Sequence, residues 1–358
     1  MPSQHEVVIA AAGSGKTDYL VSSALAAKGR RVLIVAYTNE NLREIHERVW
    51  KVAGTWPPGL QILSWYQFLL RHGVKPYQTY RTTPGRIRSI NFVTANPPFS
   101  NRADFDRYYL DSASNVYSDA VSDLVCDLNM RSDGKVMARL ESVFDLILID
   151  EIQDLAGWDL EFLALMLDSQ IAITLVGDPR QAVYSTNRSN KNSKYRGAKI
   201  AEWFDEQAKR GKCRIRTIDT NYRSNQMICD YADSLYPKLP QTKACQERAH
   251  THRGVYLIHQ ELIGNYRTVF SPQELRWSRG TKGAADDAMN FGEVKGLAFD
   301  HVLIHATKPM IDFIEKGVPL KDSSLAKYYV AVTRARHSVA ILTSRRKSGS
   351  KIPYWVLS

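Results

Sequence analysis

The chain has 358 residues, 44% hydrophobic and 24% charged, which are ordinary proportions for a globular protein too long for one core. It contains neither an apolar run of about 18 residues nor a secretory signal pattern, so we expect a cytoplasmic protein without a membrane partner. Four widely spaced cysteines, with no C-x-x-C pair, argue against zinc and against a disulfide framework. The net charge of +11 indicates a polyanionic partner, with nucleic acid the first candidate.

Short β-branched runs alternate with helical patterns along the chain, which predicts an α/β fold with parallel sheets. The predicted strands occupy residues 7–10, 31–36, 61–63, 146–150, 171–176, 214–218, 255–259, 301–305 and 339–343. Predicted helices fall near 15–27, 41–49, 66–71 and 159–167, and the pattern of 328–336 is also helical. The stretch 76–143 is rich in polar and tyrosine residues, which predicts a small inserted subdomain rather than sheet.

A glycine-containing turn joins the first predicted strand to the first predicted helix, in the segment Ala10–Thr17. The backbone N–H groups of such a turn and the positive end of the following helix cradle the phosphates of a nucleotide. Lys16 is placed to reach the β- and γ-phosphates, and the Thr17 hydroxyl to hold Mg²⁺. Ala10 replaces the first glycine of the usual pattern, which is compatible with a negative φ at that position.

A second signal follows the apolar run 146–149, where Asp150 and Glu151 stand at the carboxyl end of a predicted strand. We expect Asp150 to hold Mg²⁺ through water, and Glu151 to orient and deprotonate an attacking water. Gln181 follows the next strand and is suited to sensing a γ-phosphate. Together with the phosphate loop, these residues predict hydrolysis of a nucleoside triphosphate.

Polar and aromatic residues also follow two earlier strands, at Tyr37–Asn39 and Ser64–Phe68. Ligands of open parallel sheets bind at such strand ends, and exposed aromatics beside a basic surface suit stacking on single-stranded bases. Trp65 and Phe68 are equally well explained as core residues. The basic loop 185–199 faces either nucleic acid or solvent.

The ordered set of these segments resembles the superfamily 1 helicases of the UvrD/Rep type, from about residue 8 to 343. The segments that resemble family motifs I, Ia, II, III, IV, V and VI are, in order, Ala10–Thr17, Ala36–Asn39, Asp150–Asp154, Gly177–Gln181, Asn221–Ser224, Lys295–Asp300 and Val330–Ala335. Motif V departs from the family pattern, since Ala298 stands where Glu is usual and Gly292 where His is usual.

The resemblance implies two tandem RecA-like domains, at residues 1–210 and 211–358. It also implies a reduced 1B-like insertion near 76–143 and no 2B subdomain. It assigns an ATP–Mg²⁺ site to Ala12, Gly13, Ser14, Gly15, Lys16, Thr17, Asp150 and Glu151, with Gln181, Arg223 and Arg334 at the γ-phosphate, Tyr222 on the adenine and Gly296 beside the nucleotide. It assigns strand contacts to Thr38, Asn39, Ser64, Trp65, Tyr195 and Arg196.

The implied function is an ATP-dependent DNA helicase or translocase. Such a protein moves on single-stranded or tailed duplex DNA, typically 3′ to 5′, in repair, replication or defence. The alternative is an ATP-gated DNA-binding regulatory subunit that serves a partner nuclease or repair protein and unwinds little itself. The short spacing between motifs IV and V motivates this second hypothesis.

Overall fold

The computed structural model describes residues 5–80, 85–92, 101–102, 104–245, 250–346 and 349–357. The chain forms two compact units. The first unit comprises Met1–Ile9, Lys16–Pro179 and Tyr184–Arg216, and the second comprises Ala10–Gly15, Arg180–Val183 and Thr217–Ser358. The domain limits 1–210 and 211–358 stay a prediction.

The first eight strands build a large sheet and a small one. They are β1 (Glu6–Ala10), β2 (Val32–Ala36), β3 (Leu60–Ser64), β4 (Ile90–Asn91), β5 (Val116–Tyr117), β6 (Leu146–Ile149), β7 (Ala172–Gly177) and β8 (Arg214–Ile218). The large sheet has the order β3-β2-β6-β7-β1-β8, and β4 pairs with β5. From β3 to β1 all neighbouring strands are parallel. Strand β2 is buried along its whole length, as expected for an apolar run covered on both faces.

Helices of the first unit pack on this sheet or fill the insertion. They are α1 (Lys16–Ala26), α2 (Asn39–Ala53), α3 (Trp65–Phe68), α4 (Phe105–Tyr109), α5 (Val121–Arg131), α6 (Lys135–Val143), α7 (Trp158–Met166) and α8 (Ile200–Lys209). Helix α3 continues as a π-helix over Leu69–Val74. Two helices have an N-cap hydroxyl at the end of the preceding β-strand. Thr38 caps α2, and Ser64 forms a capping box with Gln67 in α3.

The second unit has its own parallel sheet. Its strands are β9 (Thr220–Asn221), β10 (Lys243–Ala244), β11 (Gly254–His259), β12 (Gln273–Arg276), β13 (Met289–Asn290), β14 (Phe299–Ile304) and β15 (Ala335–Thr343). Its helices are α9 (Gln226–Ser234), α10 (Ile263–Phe270), α11 (Lys308–Lys316) and α12 (Asp322–Val332). The main sheet has the order β11-β15-β14-β12-β13, and β9 pairs with β10.

Two parallel sheets of six and five strands confirm the predicted α/β class and agree with tandem RecA-like folds. The insertion is mostly helical in its described residues, while 81–84, 93–100 and 103 of the predicted stretch lie outside them. One prediction is wrong: the helix expected over 328–336 ends at Val332, and Arg334 lies in the turn before β15. Within the described ranges, no helix has the length and apolarity that a membrane crossing requires.

Candidate active site and nucleic-acid interface

The phosphate loop has the backbone that its sequence predicts. Gly13 and Gly15 both have φ of +76°, a conformation that favours glycine. Ala10 is the last residue of β1 and is not among the positive-φ residues, so the missing first glycine is accommodated. The Ser14 Oγ atom is buried and has no hydrogen-bond partner among the described residues. Because a buried polar atom needs a partner, this loop fits an anionic phosphate ligand.

Residues 10–15 of the loop pack against the segment that resembles motif IV, and both belong to the second unit. The Tyr222 N–H donates to the Gly13 carbonyl at 2.8 Å, and Asn221 Nδ2 donates to the Ala12 carbonyl at 2.8 Å. A Cβ atom on Gly13 would lie 2.7 Å from Asn221 Oδ1, so this position also needs glycine for space. The Tyr222 side chain is 61% exposed, which leaves its ring accessible to a stacked base.

The two adjacent carboxylates differ in how they are held. Asp150 is 6% exposed, and its Oδ1 accepts from the Glu151 N–H at 2.9 Å. Glu151 has φ of 55°, a left-handed conformation that costs a non-glycine residue about 1 kcal/mol or more. Asn41 Nδ2 lies 3.4 Å from Glu151 Oε1, and Gln153 Nε2 donates to Glu151 Oε2. Two side-chain amides therefore orient the carboxylate that we predict to be the general base.

Gln153 also joins this carboxylate to the end of β7. Its Oε1 atom accepts from the Asp178 N–H at 3.1 Å. Gly177 leaves room for this contact, because a Cβ atom there would collide with the Gln153 Oε1 atom and with Ile152. The ends of β6 and β7 are thereby fixed to each other. Lys16 and Thr17 at the start of α1 belong to the same unit as Asp150, and they remain the predicted holders of the phosphates and Mg²⁺.

Three predicted γ-phosphate contacts fall in the second unit: Gln181, Arg223 and Arg334. Arg334 is 1% exposed, and its Nη2 donates to Gln181 Oε1 at 3.2 Å and to Thr333 Oγ1 at 3.1 Å. Arg223 Nη1 donates to the carbonyl of Thr333 at 3.1 Å. Thr333 thus contacts both arginines, a role that the sequence analysis missed. Their assignment to a γ-phosphate stays a prediction.

The motif V segment borders the same arginine. Arg334 Nη1 donates to the Leu297 carbonyl at 3.3 Å, and its Nε donates to the Val330 carbonyl at 2.9 Å. Gly296, with φ of 91°, is exposed, so the chain turns here in a conformation suited to glycine. The predicted proximity of Gly296 to the nucleotide is left as a prediction.

Three residues that we predict to contact a nucleic-acid strand, Thr38, Asn39 and Ser64, line one cavity of the first unit. This cavity has a volume of about 540 Å³, and we call it the edge cavity. Its walls come from the ends of β2 and β3, from α3 and from the insertion: Tyr37, Thr38, Asn39, Ser64, Tyr66, Gln67, Leu70, Ser89, Ile90 and Phe92. Phe92 is 62% exposed and meets Tyr66 edge-on, with ring centroids 4.9 Å apart. Local sequence patterns do not predict this aromatic pair, because the two residues lie in different segments of the chain.

One contact chain connects the edge cavity to the carboxylates. Thr38 Oγ1 donates to Asn41 Oδ1 at 2.9 Å, while the Asn41 amide nitrogen approaches Glu151. Thr38 also caps α2 by accepting from the Asn41 N–H at 3.1 Å. The cap therefore fixes the backbone of a residue whose side chain contacts both regions.

Two predicted strand contacts are corrected by the structure. Trp65 is 1% exposed, and its Nε1 donates to the buried Asp159 carboxylate at 3.0 Å, so its ring belongs to the core. Tyr195 is 6% exposed, and its hydroxyl donates to Glu206 Oε2 at 2.7 Å, so it offers no open face to a base. Arg196 is exposed, with its Nη2 on the carbonyl of Arg188 at 2.8 Å, and stays a predicted contact.

Comparisons with known proteins agree with this arrangement. Residues 1–187 match the family described as AAA domain, and residues 103–343 match the viral superfamily 1 RNA helicase core domain. The chain is 27% identical over 141 residues to the ATP-dependent DNA helicase Rep of Buchnera aphidicola subsp. Acyrthosiphon pisum (strain APS). This match covers 38% of the chain and 20% of the relative, so the chain matches about a fifth of that protein's length.

Two solved structures are similar to the chain at low sequence identity. The arterivirus nonstructural protein 10 helicase is 14% identical, with 96% of this chain and 60% of that chain covered and a TM-score of 0.50. The PRRSV helicase is 16% identical, with 96% and 53% covered and a TM-score of 0.48. The two family matches each span more than half of the 358 residues. The first includes the phosphate loop, and the second includes the downstream motifs. The chain belongs to the superfamily 1 helicases.

Proposed function

We propose that the protein is an ATP-dependent helicase that moves along a single strand of DNA, 3′ to 5′, in the cytoplasm. The observation that carries the proposal is the contact of Asn41 with both Thr38, which lines the edge cavity, and Glu151. Membership of the superfamily 1 helicases supports the activity, and the net charge of +11 supports a nucleic-acid partner.

In this proposal, ATP is hydrolysed at the carboxyl ends of the β-strands of the first unit. Glu151 accepts a proton from the attacking water, the new P–O bond forms at the γ-phosphorus, and the bond to the β-phosphate oxygen breaks. Thr17 and Asp150 would hold Mg²⁺, which neutralises phosphate charge when bound. Lys16 binds the phosphates, and Arg223 and Arg334 supply positive charge for the transferred group. The products are a nucleoside diphosphate and inorganic phosphate.

The choice of DNA rests on the curated relative, which is a DNA helicase, whereas one matching family is described as an RNA helicase core. ATP hydrolysis should therefore be measured with single-stranded DNA, duplex DNA and RNA of one sequence. We expect single-stranded DNA to stimulate hydrolysis most. Stronger stimulation by RNA would agree with ATP-driven translocation but would contradict DNA as the substrate.

The direction of movement and the unwinding activity are measured with duplexes that carry a 3′ or a 5′ single-stranded tail. We expect ATP-dependent strand displacement from the 3′-tailed duplex, and none when Lys16 is replaced by alanine. Absence of both displacement and strand-stimulated hydrolysis would contradict the proposed function.

A regulatory subunit is the second candidate, and one feature of the second unit favours it. Between Ser224 and Lys295, the described residues include two helices, α9 and α10, and three strands of the second sheet itself, β11, β12 and β13. These described residues therefore build the RecA-like sheet rather than the 2B subdomain whose absence motivates this second candidate. An ATP-dependent footprint on a tailed duplex without displacement, together with a co-purifying nuclease or repair protein, would favour this role.

A further inference from the structure

A second cavity opens along the edge of the first sheet, and we call it the outer groove. It has a volume of about 690 Å³ and lies between α2 and the π-helix, beside the edge strand β3. Its walls include His46, Leu63, Gln67, Leu70, Arg71 and Lys75. Neither the resemblance nor the family matches assigns a ligand to this groove.

The outer groove adjoins the edge cavity. Gln67 and Leu70 line both of them, so these two residues form a shared boundary. The position of Gln67 is fixed, because its N–H donates to Ser64 Oγ at 3.1 Å and its Oε1 accepts from the Ser64 N–H at 3.0 Å. The boundary is therefore a preformed feature of the capping box.

Charge identifies the class of ligand. Arg71 and Lys75 lie four residues apart, and both are exposed. In the part of the chain that the structure describes, neither of them forms an ion pair. Arg48 of the neighbouring α2 is different, since it pairs with Asp18 and with Glu44. Two uncompensated cations at the groove suit the phosphates of a nucleic-acid backbone.

The floor of the groove supports the same occupant. Leu63 and Leu70 provide apolar surface beside the cations, while His46 stacks on Trp56 with ring centroids 5.1 Å apart. A single strand presents apolar sugar and base surfaces together with charged phosphates, and both kinds of surface find a match here. An acidic peptide would use the cations but would leave the shared boundary with the edge cavity unexplained.

We propose that the outer groove binds the backbone of the same single strand that occupies the edge cavity, with Arg71 and Lys75 each contacting a phosphate. This inference rests on the proposed function, because it extends the path of that strand by two phosphate contacts. It predicts that short oligonucleotides occupy the edge cavity alone, whereas longer ones reach the groove.

The test compares two double variants that each remove two positive charges. Arg71→Gln/Lys75→Gln changes the groove, and Lys28→Gln/Lys51→Gln changes exposed lysines that line neither cavity. Fluorescence anisotropy with labelled oligothymidylates of increasing length gives the affinity at several salt concentrations. We expect the groove variant to lose roughly tenfold in affinity for long oligonucleotides and little for short ones. Its salt slope should fall by about 1.4, at about 0.7 for each lost phosphate contact on a single strand.

The outcomes separate this inference from the proposed function. If wild-type protein binds none of the oligonucleotides, the proposed function fails and the inference fails with it. If wild-type protein binds them and the two double variants behave alike, the inference alone is overturned. In that case the groove is left to another partner, such as a peptide. Equal losses at every oligonucleotide length would also overturn the proposed continuation of the path.

Discussion

The ends of neighbouring strands in the first sheet have opposite character. At the end of β6, Asp150 is 6% exposed, and two side-chain amides hold Glu151. At the ends of β2 and β3, the chain instead opens into the edge cavity of about 540 Å³. Hydrolysis needs a fixed carboxylate, whereas a translocated strand needs a surface along which it can slide. Under the proposed function, hydrolysis and nucleic-acid binding would therefore use the ends of neighbouring β-strands at one edge of the sheet.

Asn41 is a side chain that contacts both regions. It accepts from the Thr38 hydroxyl at 2.9 Å on the cavity side and approaches Glu151 Oε1 at 3.4 Å on the carboxylate side. A nucleic-acid strand that binds the Thr38 hydroxyl in place of Asn41 would therefore disturb a side chain that contacts Glu151, the proposed general base. Variants in each region show whether the two can be changed independently, and whether Asn41 joins them.

The largest expected effect is on the carboxylate side. Glu151→Gln should lower the rate of ATP hydrolysis by about 10²- to 10⁴-fold, because it removes the general base. ATP and strand binding should persist, as measured by fluorescent nucleotide titration and oligonucleotide anisotropy. Lys16→Ala serves as the contrast, since it should weaken ATP binding itself. Normal hydrolysis by Glu151→Gln would show that the base is misassigned.

On the cavity side, Phe92→Ala should weaken strand binding by about 10- to 100-fold, through loss of roughly 1–3 kcal/mol of stacking. ATP affinity should not change. Trp50→Ala is the matched control, because Trp50 is 52% exposed and lines neither cavity. A loss of strand affinity as large in the control as in Phe92→Ala would contradict a specific stacking site.

The corrected position of Trp65 gives a different expectation. Because this ring is buried in the core, Trp65→Ala should lower the free energy of unfolding by about 3–5 kcal/mol. Chemical denaturation measures this loss directly. Reduced strand affinity with unchanged stability would restore Trp65 as a strand contact.

Asn41→Ala should change the dependence of hydrolysis on the strand by about tenfold, the scale of one hydrogen bond to a charged group. We expect a smaller ratio between the strand-stimulated and basal rates, at unchanged strand affinity. Asn39→Ala should do the reverse, since Asn39 lines the edge cavity: it should raise the strand concentration needed and keep the maximal rate. Identical behaviour of the two variants would remove Asn41 from its connecting role.

The smallest effect concerns the π-helix that lines both cavities. Burial, followed by the charges of Arg139 and Arg71, lowers the pKa of His72 to about 4. Arg139 Nη1 lies 3.1 Å from His72 Nδ1, so protonation would place two cations together. The unfolded chain takes up this proton near pH 6.5, and the contribution to stability is lost as the pH falls from 6.5 toward 4. At pH 5.5 the free energy of unfolding should be about 1.2 kcal/mol lower than at pH 7 because of this group.

His72→Gln, which does not titrate, isolates this contribution. The variant should lose less stability than the wild type between pH 7 and pH 5.5 in denaturant titrations. The same loss in both proteins would show that other groups cause the pH dependence.

Local patterns predicted the phosphate loop, the Asp150–Glu151 pair and both parallel sheets, because each depends on residues close together in the chain. Features that depend on contacts between residues far apart in the chain were not predicted. Trp65 is drawn into the core by Asp159, which lies 94 residues away in sequence. Strand β12 was missed because it carries the buried Glu274. Burial opposes ionisation of this carboxyl, but bonds from His305 and Arg267 lower its pKa to about 2.

The central claim is that strand binding at the edge cavity drives hydrolysis at Glu151. The most direct measurement is the rate of ATP hydrolysis by the wild-type protein with and without a long single-stranded DNA, repeated with Asn41→Ala. We predict strong stimulation in the wild type and a much smaller ratio in the variant, with equal strand affinity. A wild-type rate that is the same with and without single-stranded DNA, duplex DNA or RNA would contradict the claim.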